Sequence, residues 1–438
     1  MSKPTVSAHR GAILHFLRDP GDGTDARAYE YWLDGLLLIE DGCVAACGPA
    51  GDLLPTLGPD VTVTAHPDAL LLPGFVDTHL HYPQTDVIAS SGRQLLDWLN
   101  DYVFPAERRF ADAAHAAEVA EFFLDELLRN GTTTALVFGT VHKASVDVFF
   151  EAARARRLRM IAGKVLMDRH CPDFLRDTCE SGERDSRALI ERWHGSDRLH
   201  YAITPRFAPT STPEQLASAG RLAREFPDVF IHSHVAENRD EITWARELFP
   251  DARSYLDVYD RVGLLRDRAI YAHCIYLDDA DRRRMAASGA AAAFSPTSNF
   301  FLGSGLFDLA ATDACGMRYG LASDVGGGTS FSLLRTMDEA YKVAQLQGQR
   351  LSALRAFYLA TLGGAKILGL DHRIGSFQPG HEADFIVLDL AATPLLERRC
   401  RLASTLPETL MALLTLGDDR AIRQTFILGR AMKPCSPR

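Results

Sequence analysis

LLPGFVDTHLHYPQ, residues 71–84, is the stretch from which the architecture follows. An apolar run ends abruptly in a polar cluster, as a buried parallel strand does where it emerges at the carboxyl end of its sheet. Residues two apart on an extended strand face the same side, so His79 and His81 both present their imidazoles to one point.

Beyond this stretch, strand-like runs alternate with longer helical ones. TTTALVF (132–138) precedes a helical SVDVFFEAARARR, MIAGKVLM (160–167) opens another unit, and LHYAITP ends a strand before the helical TPEQLASAGRLAREF. VFIHSHVAE, RAIYAHCIYL, GAAAAFSPTS and RYGLASDVGG continue the rhythm. Repeated βα units with polar residues at strand ends favour a closed parallel barrel over an open sheet, so the fold expected is α/β, a (β/α)8 TIM-type barrel. Before residue 70 the sequence differs: short apolar bursts (AILHF, LLLIE, TVTA) are separated by the turn-rich DPGDG and GPAGD. DHRIGSFQPGHEADFIVLDL and RQTFILGRAMK near the other end read alike. The expected organisation is a small β-sandwich domain built from both termini, residues 1–72 and 371–438, around a barrel over 73–370.

With 438 residues and 47% hydrophobic content there is ample material for a large core, which excludes a disulfide scaffold or a disordered chain. A formal charge of -10 argues against non-specific binding to nucleic acid or an anionic membrane. Eight cysteines without a CxxC pair, no apolar leader in MSKPTVSAHR and no transmembrane-length run fit a cytoplasmic protein with no membrane partner.

His234 in IHSHVAE, His273 in IYAHCIY and Asp324 in LASDVGG each close a later strand, so five donors, His79, His81, His234, His273 and Asp324, converge at the barrel mouth. Nitrogen and carboxylate ligands suit one divalent ion, zinc by preference with Fe2+ also fitting. His232 lies deeper on the same strand face and reads as packing or supporting the ligands. Lys164 on MIAGKVLM, if carboxylated, is able to bridge two metals, but the ligands at hand suffice for one. Glu237, three residues past His234, is placed beside the ion as a general acid and base without ligating it. Cys274 lacks the spacing of the His, Cys, Cys zinc signature of nucleic-acid deaminases and reads as a buried strand cysteine.

This pattern resembles the amidohydrolase superfamily and, within it, the guanine deaminases. The likeness rests on PGFVDTHLHYPQTDVIAS, LLDWLNDYVFPAERRF, NGTTTALVFGTVH, AITPRFAPT, SHVAENRDEI, YAHCIYL and ASDVGGGTS, from about residue 73 to 330. The histidine at 232 departs from the neutral polar residue expected there. The resemblance implies a metal set of His79, His81, His234, His273 and Asp324, with Glu237 as proton shuttle. It implies that Gln84 in HYPQ and Arg206 with Phe207 in TPRF hold a purine, and that Trp98, Leu99 and Asn100 line the same pocket. The implied reaction converts guanine to xanthine and ammonia: activated water attacks C2, Asp324 and His273 handle the water, and Glu237 protonates the ring nitrogen and the departing amine. A homodimer is implied too. The same ligands also suit another amidohydrolase acting on a pterin, a triazine or a different purine. More distantly, they suit a non-catalytic scaffold stabilised by metal.

Overall fold

The computed structural model describes residues 5–91 and 94–432; the first residues of MSKPTVSAHR and Cys435 lie outside that range. The chain opens with β1 (Val6–Phe16), β2 (Tyr29–Glu40), β3 (Cys43–Pro49) and β4 (Val63–Pro73). It continues through β5 (Phe75–His81), β6 (Thr132–Phe138), β7 (Arg159–Gly163), β8 (Val165–Leu166), β9 (His200–Pro205), β10 (Phe230–Val235), β11 (Ala269–His273), β12 (Ala291–Phe294) and β13 (Arg318–Leu321). It closes with β14 (Phe385–Asp389), β15 (Ile422–Ile427) and β16 (Arg430–Met432).

Strands β5 to β13 form the barrel. Neighbours pair in parallel in the order β5, β6, β7, β9, β10, β11, β12, β13, and the two-residue β8 continues β7 beyond Lys164 to pair with β9. All seven residues of β5 are buried, as expected of a strand covered on both faces. The barrel closes where the first strand meets the last: Thr78 Oγ1 donates to Leu321 O (2.9 Å), and Asp324 N donates to His79 O (2.9 Å). Buried Asp77 reinforces the seam by accepting from Ser323 N at 3.1 Å.

Helices wrap the outside, each burying a stripe at helical spacing. In Ala113–Arg129 the buried residues are Ala116, Val119, Ala120, Phe123, Leu124, Leu127 and Leu128, and Asp112 caps the first turn through Ala114 N.

The terminal segments build a mixed seven-stranded sheet, ordered β16, β15, β14, β4, β1, β2, β3. It curls over its own core, which joins Ile13, Leu37, Leu71, Phe385, Val387 and Phe426 from five of its strands. His9 on β1 reaches across to the rings of Phe385 and Phe426, at 5.0 and 4.9 Å. The sequence reading anticipates this sandwich-like sheet from both ends but passes over two helices between β14 and β15. Pro394–Leu402 and Leu406–Leu416 are capped by Thr393 and Thr405, and buried Leu410, Leu413 and Leu414 of the second join the main core.

Candidate metal centre and active site

β5 delivers His79 and His81 to the carboxyl end of the barrel, β10 delivers His234, and the residues ending β11 and following β13 deliver His273 and Asp324. His79 Nε2 lies 3.1 Å from Asp324 Oδ1, His81 Nε2 lies 3.4 Å from the same oxygen, and His81 Nε2 is 3.2 Å from His234 Nε2. Two groups result, His79 with His81 and His234, and His79 with His273 and Asp324, their donor atoms all within 4.8 Å of one another.

Hydrogen bonds decide which nitrogens are bare. His234 Nδ1 donates to Arg206 O (2.6 Å), which leaves its Nε2 as a lone pair. His273 Nδ1 meets Asn299 Oδ1 (2.9 Å), which bares its Nε2 in turn. His79 Nδ1 contacts His232 Nε2 at 2.7 Å, and His79 Nε2 has no hydrogen-bond partner although it is buried. Burial, with the neighbouring imidazoles, holds His79, His81 and His234 well below the ordinary histidine value, so they are neutral. Neutral nitrogens turned on one another and on a buried carboxylate are costly without a cation between them. Donors about 2.0–2.1 Å from a shared zinc in tetrahedral array stand about 3.3 Å apart, and the spacings above fit that requirement. The residues therefore fit a single divalent ion. Lys164 is no ligand: its Nζ is spent on Asp177 (2.6 Å) and Val165 O (3.0 Å).

The strand ends are bent to do this. His273, Cys274 and Asp324 adopt φ of 70, 54 and 50°, and Ala236 adopts 53°, a left-handed region that side chains avoid and that clusters at functional sites.

Glu237 projects beside the cluster. Its Oε2 is 3.3 Å from His273 Nε2, and its Oε1 accepts from Ser304 Oγ at 2.9 Å. Burial, and then the nearby Asp324 carboxylate, push the Glu237 carboxyl up to about 8. Burial likewise raises Asp324 to about 6, against the pull of His273. Glu241 fastens the turn that carries Glu237, its Oε2 accepting from the backbone of Glu237 (3.0 Å) and Asn238 (3.1 Å).

These groups face a partly open cavity. Gln84, Arg206, Phe207, Trp98 and Leu99 line it as the sequence suggests, joined by Leu95, Leu302 and Ser298. Asn100 does not: it is exposed, and its amide donates to Leu96 O at 2.9 Å. Arg206 is paired to buried Glu107, Nη1 lying 2.9 and 3.0 Å from the two carboxylate oxygens, while its guanidinium stacks 5.3 Å from the Phe104 ring. Gln84 Nε2 also points at Glu107, at 3.4 Å. Gly326, at φ 119°, makes room: a Cβ there would stand 2.1 Å from Gln84 Oε1. The sequence reading passes over Glu107, Glu241, Asn299 and Ser304. FPAE and the Asn-x-x-Glu start of the Arg239–Leu248 helix were available as signals for the first two.

A sequence profile of the Amidohydrolase family matches residues 70–432. The chain is 50% identical to guanine deaminase of Escherichia coli strain K12 over 427 residues, covering 97% of each. The chain belongs to the guanine deaminase branch of the amidohydrolase family. Solved structures from this branch superpose closely. The E. coli guanine deaminase gives a TM-score of 0.96 over 98% of this chain and 100% of the other. A guanine deaminase from C. acetobutylicum, solved with guanine bound in its active site, is 26% identical with a TM-score of 0.88, over 98% and 100% of the two chains. No helix among the described residues is long and apolar enough to cross a membrane, and the seven described cysteines are all unpaired.

Proposed function

We propose that this chain catalyses the hydrolytic deamination of guanine to xanthine and ammonia. The observation that carries the reading is the meeting, in one cavity, of a metal-competent histidine and aspartate cluster, a raised Glu237 carboxyl and a wall offering Arg206, Gln84 and Phe207 to a planar heterocycle. Membership of the guanine deaminase branch supports it, as does the relative solved with guanine in its active site.

His79, His81, His234, His273 and Asp324 would hold the ion, zinc by preference and Fe2+ as the alternative these donors accept. Such an ion supplies a nucleophilic water at neutral pH. Asp324 orients the attacking water and takes its proton, and His273, its Nε2 3.8 Å from the Asp324 carboxylate, helps to orient it. Glu237 delivers a proton to the ring nitrogen next to C2, is reloaded with the proton Asp324 took from the water, passes that proton to the amine so that ammonia leaves, and regains a proton from the C2 hydroxyl as the carbonyl forms. Its raised carboxyl is able both to hold and to release a proton near neutrality. Arg206 donates to the O6 carbonyl, Gln84 hydrogen-bonds the ring edge, Phe207 packs on the face, and Trp98 with Leu99 excludes water.

The proposal includes a cytoplasmic setting, supported by the unpaired cysteines, and a homodimer, supported by family resemblance alone and testable by sedimentation. Purified, metal-quantified protein is given guanine, with adenine, cytosine, a pterin and a triazine in parallel, and ultraviolet absorbance and ammonia are followed together. Equimolar xanthine and ammonia from guanine alone is the expected result. Turnover of another ring with silence on guanine overturns the substrate assignment and leaves the barrel chemistry standing.

A further inference from the structure

Resting on that guanine reading, we infer that Glu107 is a positioning residue that sets the hydrogen-bonding polarity with which the cavity wall reads the substrate's edge. Glu107 lies in the helix Phe104–Arg108 and is fully buried. Its Oε1 faces two donors at once, Arg206 Nη1 at 2.9 Å and Gln84 Nε2 at 3.4 Å, and its Oε2 accepts from Arg206 Nη1 at 3.0 Å. An ionised carboxylate only accepts hydrogen bonds. The Gln84 amide is therefore held one way round, its NH2 toward Glu107 and its Oε1 away from it, beside Gly326. No residue among those described donates to Gln84 Oε1 or accepts from the Nη2 and Nε of Arg206, while both side chains line the cavity. The wall thus offers an acceptor beside donors. Its complement is an N–H beside a C=O, the lactam edge that guanine shows at N1 and O6. The reverse edge, a bare ring nitrogen beside an amine, meets acceptor with acceptor and donor with donor, which leaves buried polar groups unpaired.

Removing the charge removes the constraint. In Glu107→Gln the new amide presents its own NH2 to one neighbour, and Gln84 relieves the donor–donor clash by turning over, which brings Nε2 to the cavity in place of Oε1. Arginine keeps a hydrogen-bonding partner in this variant. The change is therefore expected in recognition more than in the chemical step.

The test compares inhibition of guanine turnover by hypoxanthine, which has the lactam edge without the C2 amine, and by adenine, which has the reversed edge. Wild-type enzyme is expected to bind hypoxanthine in strong preference to adenine. In Glu107→Gln that preference is expected to fall on the order of 10- to 100-fold, with the guanine KM raised more than kcat is lowered. Glu107→Asp, which keeps a carboxylate, restores much of the preference. A purely structural ion pair would lower Tm and the active fraction but leave the inhibitor ratio where it was. A wild-type ratio in folded Glu107→Gln overturns the inference. So does equal inhibition of wild-type enzyme by the two bases, a comparison that stands even if the variant does not fold. Wild-type turnover of guanine in the same assays checks the underlying reading separately: hypoxanthine bound in preference to adenine, measured directly by calorimetry, without any turnover of guanine sinks the reaction and not the polarity of the wall.

Discussion

Glu237 makes its contacts with groups that fix it in place, His273 Nε2 on one oxygen and Ser304 Oγ on the other. Glutamine at 237 fills the same space and keeps the hydrogen bond but cannot shuttle a proton. Glu237→Gln is expected to retain its metal and to lose about 10²- to 10⁴-fold in kcat, read by elemental analysis and steady-state kinetics on one preparation. A rate near wild type would remove the shuttle role. The metal donors were legible because they close four apolar strands, His79 and His81 sharing one, a position that barrels reserve for chemistry. The pocket was legible only in part. Trp98, Leu99 and Asn100 are consecutive, and successive residues on a helical turn point about 100° apart, so the three cannot all face one cavity. Leu95, Trp98 and Leu99, at i, i+3 and i+4, are the residues that do line it. Glu107 escaped notice because a glutamate early in a helix is satisfied by the helix dipole alone, and nothing local announces a buried arginine 99 residues away.

At the level of elements, the strands of the barrel follow their apolar runs closely, whereas the C-terminal helices did not stand out. PLLERRCRL and LPETLMALLTL each follow a threonine cap and carry proline in the first turn, a start signal that the surrounding β-like sequence obscured. The curled terminal sheet has its own pH response. Burial, and secondarily His66, holds His9 down to about 4, and burial with His381 does the same to His15. Glu30 stands 2.9 Å from His15 Nε2 and would favour the charged ring, but it is nearly half exposed and screened, so burial prevails. These histidines are neutral in the folded protein while the unfolded chain takes up protons below about 6.5. Their contribution is complete above that pH and fades as pH falls from about 6.5 toward 4, by up to about 3 kcal/mol each. Between pH 7.5 and 5.0 wild type should lose more Tm than His9→Gln does, measured by calorimetry. Equal losses would show that His9 takes no part.

Across the whole molecule, the bottom of the barrel and the terminal sheet are joined by charge as well as by apolar packing. Glu382, just ahead of β14, receives Arg159 Nε from β7 at 2.9 Å and Arg198 Nη2 at 2.7 Å, and Arg198 pairs with Asp384 as well. Glu382→Ala strands Arg159 without its carboxylate in a largely buried position. It is expected to cost about 3–5 kcal/mol in chemical unfolding while leaving the guanine KM of the folded enzyme unchanged. A loss under about 1 kcal/mol would mean that the Glu382 pairs contribute little to holding the two parts together.

The proposed guanine-deaminating site is served by one divalent ion in the His79, His81, His234, His273 and Asp324 cluster. The most direct measurement is guanine turnover during titration of chelator-stripped protein with zinc, with bound metal counted at each point. Activity that is absent without metal, rises in proportion to occupancy and reaches its plateau at one ion per chain is the predicted result. Full activity in the stripped protein, or a plateau only at two ions per chain, would contradict it.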